Sequence, residues 1–86
     1  MPYIVSSRRL SLDARINALV DHIGADGELN YVLTKIIDKW SLKTTRDYSR
    51  LNSVMGVLSC VAQEFYRRVI AKYEEKKCDV NGDVYE

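Results

Sequence analysis

Arg68, Lys72 and Lys76 recur at helical spacing near the end of the chain, with Arg67 on a neighbouring face and Tyr66 and Tyr73 on the next strip round. A guanidinium offers phosphate a planar fork, an ammonium a point charge, and a phenol ring a surface on which a base stacks. The pattern predicts an anion-binding face. Arg68 and Lys72 would neutralise phosphate, Arg67 would do so from a neighbouring face or subunit, and Tyr66, Tyr73 or Tyr31 would stack on a base. Asn30 and Asn81 are weaker candidates for reading base or ribose edges. The bland reading of the same residues is a helix that has left its bundle. Its cations then snorkel into water, with Glu64 paired to Arg68 and Glu75 to Lys72.

Catalysis has less to work with. There is no Gly-rich phosphate loop and no His-based dyad, and Cys60, Cys78 and the single His22 are too few and too unpatterned for a zinc site. The expectation is therefore no metal, no cofactor and no enzyme activity, with reduced thiols. The rival is a small metal-dependent nucleotide hydrolase using Asp and Glu. The competing non-enzymatic class is a helical protein-interaction module, in which the same Tyr and Arg residues act as interface anchors.

Helices must position these groups. Leu12, Ile16, Leu19, Val20 and Ile23 share one helical face, with Ser11 as the predicted N-cap and Gly24 as the stop. Asp26-Gly27 makes the turn into a second helix striped by Leu29, Val32, Leu33, Ile36, Ile37 and Trp40. Tyr31 lies nearly opposite Leu33 and should be exposed, while Asn30 sits at the stripe's edge. After a break at Ser41 to Thr45, a third helix is predicted from about Arg46 to Lys77. At 1.5 Å per residue it would be roughly 45 Å long, against a radius of gyration of about 12 Å for a compact domain of this size. It must overhang, break or be covered by another chain. Tyr48, Leu51, Met55, Leu58, Ala62, Phe65 and Val69 form its expected core seam. The opposite side carries small residues, Ser49, Ser53, Gly56 and Cys60 among them. Gly56 costs about 1 kcal/mol in a helix relative to Ala, so close approach of another helix is the expected reason for it. Asn81-Gly82 is a turn signal that either folds Val84 and Tyr85 back against Tyr3 and Val5 or leaves the tail frayed.

The expected fold is all-α: a single three-helix domain over residues 1–86 with a long C-terminal helix and short extended termini. The composition agrees, with 86 residues, 47% hydrophobic and 29% charged. The 13 Lys and Arg against 12 Asp and Glu leave a formal charge of +1, which removes the global basic field of a DNA-duplex binder. No stretch is apolar enough for a signal peptide or a membrane span, so the chain is expected in the cytoplasm. Helix length and the small-residue face predict a homo-oligomer joined through the third helix.

The blocks Gly27-Glu-Leu-Asn-Tyr31, Gly56-Val-Leu58, Glu64-Phe-Tyr-Arg-Arg68, Tyr73-Glu-Glu-Lys-Lys77 and Asn81-Gly-Asp-Val-Tyr85 resemble those of a family of small helical proteins of unknown function in phages, bacteria and archaea. A looser resemblance is to phage anti-CBASS sponge proteins, helical oligomers that sequester cyclic dinucleotides. That second resemblance implies a ligand of this kind, an immune-evasion role and, for a phage-encoded chain, the host cytoplasm. No sponge binding motif aligns with it residue by residue.

Overall fold

A computed structural model describes residues 2–85, and every regular element among them is helical. Helix α1 spans Ser6–His22, α2 spans Asp26–Ser41 and α3 spans Tyr48–Phe65. A π-helical turn, Tyr66–Ile70, leads from α3 without a break into α4, Ala71–Asn81. The last three together make a helical stretch of 34 residues, the long C-terminal helix that the periodicity predicts. By backbone packing the chain divides into two units, Met1–Leu51 and Asn52–Glu86.

In the first unit, α1 starts before the predicted cap. Ser11 is inside the helix, and Val5 occupies the N-cap in extended geometry with no side-chain hydrogen bond. The start moves because Ser and Arg tolerate helix well and because Arg9 closes the entry, its Nε donating to the Ile4 carbonyl at 2.7 Å. Gly24 follows the end of α1, and its N–H donates to Glu28 Oε1 at 2.7 Å. Glu28 thus reaches back from the first turn of α2 to a donor just outside it, much as a capping-box glutamate does. Asp26 and Glu28 also place negative charge where the α2 dipole is positive.

The corner between α2 and α3 is the most heavily bonded part of this unit. Ser41, only 3% exposed, donates its hydroxyl to the Asp38 carbonyl at 2.7 Å and accepts Arg46 Nε at 2.9 Å. Arg46 also pairs with the Asp38 carboxylate. The Arg50 guanidinium lies 4.6 Å from the centre of the Trp40 ring and donates to the Trp40 carbonyl at 3.3 Å, while the Lys43 ammonium is 5.2 Å from the same ring centre. These cations close the carbonyl end of α2, where its dipole is negative. Asp47 then caps α3 by accepting the Arg50 N–H at 2.8 Å. That cap is why α3 starts at Tyr48 rather than near Arg46.

The apolar stripes form at the predicted period, but they are not covered. Val54, at 6% exposure, is the one buried hydrophobic side chain among the described residues. Tyr48, Leu51, Met55, Leu58, Phe65 and Val69, predicted to be core, are exposed, and so are Leu12, Ile16, Leu19 and Val20 of α1. On α2, Val32 and Ile37 are half-buried while Leu29, Leu33, Ile36 and Trp40 stay exposed. A helical stripe is buried only where another apolar face lies on it, and none of these stripes finds a full one within its own unit.

Candidate functional site

The π turn falls on Tyr66, Arg67 and Arg68, the residues on which the anion-binding expectation rests. Its wider ring is closed by the Ala71 N–H donating to the Tyr66 carbonyl. Such turns are rare, occur as single turns inside α-helices and recur at functional sites. The turn also changes which side chains meet. On a regular helix Tyr66 and Glu74 are offset by about 80°, but one extra residue in the turn reduces this to about 20°. The Tyr66 hydroxyl accordingly donates to Glu74 Oε2 at 3.1 Å. That hydrogen bond, then the Glu74 charge, then burial and the Tyr85 phenol hold the Tyr66 pKa above its ordinary value.

Arg67 is engaged as well: its Nε and Nη2 both donate to Glu64 Oε2, at 3.1 and 2.8 Å. Glu64 therefore pairs three residues on, with Arg67, and not with Arg68 as expected; no Glu75–Lys72 pair forms among the described residues. Arg68 and Lys72 are exposed and meet no acceptor among the described residues. The Lys77 ammonium sits 5.7 Å from the centre of the Tyr73 ring.

The remaining candidates are dispersed. Asn30 and Tyr31 belong to the first unit, whereas the other candidate ligand residues belong to the second. Tyr31 is 64% exposed, as its place opposite Leu33 predicts. Asn30 is exposed too, its Oδ1 accepting the Thr34 hydroxyl at 3.4 Å. Ser49, Ser53 and Cys60 are exposed, Cys60 and Cys78 are free thiols, and a Cβ built on Gly56 meets nothing within 4 Å. Among the described residues of its own unit, nothing beyond the helix itself comes within 4 Å of that position.

Asn81 lies elsewhere than with the uncommitted cations. It lines a cavity of about 470 Å³ between α4 and the residues after it, together with Ala71, Glu75, Cys78, Asp83 and Tyr85. Counting about 100° per residue, Glu74 and Asn81 fall on the side of α4 opposite Lys72 and Lys76, while Glu75 lies between the two sides, next to Lys72. Asn81-Gly82 was the only sequence sign of this cavity, and it marks a turn, not a recess. Among the described residues no group of His, Cys, Asp and Glu converges to hold a metal ion, and no helix is long and apolar enough to cross a membrane.

No curated protein and no solved structure matches the chain. One family model does, a domain of unknown function, and its match over residues 1–84 takes in the first unit, the π turn and all of α4; the chain belongs to the DUF6899 family.

Proposed function

We propose that the chain is a binding protein without turnover, a homo-oligomer that sequesters a small anionic nucleotide, with a cyclic dinucleotide as the specific form of that reading. The observation that carries it is a contrast between neighbours on one helical stretch. Glu64 engages Arg67 and Glu74 engages Tyr66, while Arg68 and Lys72 stay exposed without an acceptor beside a π turn. Uncommitted cations at the surface attract phosphate without first breaking an internal ion pair. Tyr73 supplies a ring on the same stretch.

The oligomeric part draws support from the open stripes of α1, α2 and α3, which further copies would cover in a closed symmetric assembly. The open space around Gly56 supports an interface on the face with Ser49, Ser53, Gly56 and Cys60, where a second helix backbone would lie. The same stripes favour one other reading, a protein-interaction module with no small ligand.

Titration with a panel of cyclic and linear nucleotides, read alongside sedimentation, tests the proposal. The expected result is saturable binding to an oligomer, weakened about tenfold by Arg68→Ala with assembly intact. The ligand should be recovered chemically unchanged after denaturation. Product accumulation with magnesium present would replace the proposal with a hydrolase. A sedimenting 9.9 kDa monomer, or no binding at high micromolar ligand, would overturn it, the second result favouring a protein partner.

A further inference from the structure

The open seam of α3 keeps a stricter period than the other stripes. Tyr48, Leu51, Met55, Leu58, Ala62 and Phe65 follow one another at alternating steps of three and four residues along the whole helix. Counting about 100° per residue, they stay within an arc of about 100°. A 3.5-residue repeat of this kind is the one by which two helices meet along their length, knobs into holes. The seam ends with α3, because the π turn after Phe65 shifts the phase of the side chains that follow. Among the described residues of each unit, no other helix lies along it. All six side chains are exposed.

The composition of the seam says what fits it. From Leu51 to Gln63 the helix carries no charge, so nothing there selects a charged partner. At their exposures the six side chains leave roughly 700 Å² open, close to the ~800 Å² that one partner contributes to a stable interface. A second α3 laid antiparallel about a two-fold axis at the helix midpoint matches the seam layer by layer. Tyr48 meets the partner's Phe65, Leu51 the partner's Ala62, and Met55 the partner's Leu58. An aromatic pair closes each end, and a large residue faces a small one in the layer inside it. A parallel pair would oppose Ala62 to Ala62 and Phe65 to Phe65, a gap beside an overfilled layer, with the helix dipoles aligned unfavourably.

We propose that α3 pairs antiparallel with α3 of a second copy through this seam, Leu51 of each copy packing on the partner's Ala62. The inference rests on the oligomeric part of the proposed function and is independent of the nucleotide. Gly56 lies about 130° round the helix from the middle of the seam, so the small-residue face stays open for a further contact.

Leu51 and Ala62 are 11 residues apart, about 16 Å along one helix, too far to interact within a chain. Across the antiparallel pair they touch twice. The test is sedimentation equilibrium of the full chain carrying Leu51→Ala, Ala62→Leu or both. Each single substitution should weaken association about tenfold, the first by a cavity and the second by crowding. The double variant restores a large residue against a small one and should return to within about threefold of the parent. In a Cys60→Ser, Cys78→Ser background, Leu51→Cys and Ala62→Cys chains refolded together should form an intermolecular disulfide on mild oxidation, and neither should do so alone. Unchanged association in the single variants, or additive losses in the double, would overturn the antiparallel seam while an oligomer remained. Disulfides in either cysteine variant alone would overturn it too, as the mark of a parallel pair. A 9.9 kDa monomer at every concentration would remove it together with the oligomeric part of the proposed function.

Discussion

The α2–α3 corner and the stretch from Tyr66 to Asn81 use the same kinds of residue for different ends. At the corner Lys43, Arg46 and Arg50 all rest on Trp40, Ser41 or Asp38, and the carbonyl end of α2 is satisfied by them. Arg50 even tolerates a buried Nε with no acceptor to keep its place on the indole. Around the π turn, Arg67 and Tyr66 are engaged while Arg68 and Lys72 are not. Cation count alone therefore says little about binding. What separates a structural cation from one available to a ligand is whether an acceptor of the chain already holds it.

The sharpest way to break this comparison is at Trp40. Trp40→Ala removes a half-exposed indole and both cation contacts, and should lower unfolding free energy by about 2 kcal/mol in urea titration. Asp38→Asn, which weakens a half-exposed ion pair, should cost about 0.5–1 kcal/mol. Arg68→Ala and Lys72→Ala remove no internal bond, so each should stay within about 0.5 kcal/mol of the parent. If Arg68→Ala destabilised the chain as much as Asp38→Asn, the claim that it is uncommitted would fail.

The two regions also differ in how far they can be read from sequence. Helix periods were legible because Leu, Ile and Val recur at steps of three and four, and Tyr31 was legibly exposed. The entry of α1 was not, since Ser6 to Arg9 carries no stripe and is closed by a bond from Arg9 to Ile4. The Trp40 corner reads as part of an apolar stripe, because nothing local indicates that Arg50 will fold back onto it. The π turn has no Gly or Pro to announce it, yet it decides that Tyr66 meets Glu74. The choice of Arg67 over Arg68 by Glu64 is likewise a matter of side-chain geometry between two allowed spacings. A stripe, finally, marks an apolar face and not its cover, which is why the predicted core seam stands open.

Gly82 offers a more local effect. A Cβ there meets nothing within 4 Å, so any penalty of Gly82→Ala comes from φ +89° and not from a clash. The strain of about 1–2 kcal/mol should loosen only the turn. Hydrogen exchange should speed up at Gly82 and Tyr85, whose N–H groups bond within the turn, while α2 and its corner keep their protection. Loss of protection at the corner as well would show the two regions to be coupled.

The smallest effect is a pH dependence carried by Tyr66. Its hydroxyl donates to Glu74, and that bond together with the Glu74 charge raises the phenol above its ordinary 10.0. Between 10.0 and the raised value the folded chain holds a proton that the unfolded chain has released. Stability from this contact is therefore complete below pH 10 and declines as pH rises through that window. Tyr66→Phe should lose the decline together with the hydrogen bond, leaving a flatter stability curve above pH 10. Spectrophotometric titration at the phenolate band should show one phenol ionising late in the parent and none so displaced in Glu74→Gln. If the late phenol persisted in Glu74→Gln, the pairing across the π turn would not be its cause, and the turn would lose its clearest effect on side-chain chemistry.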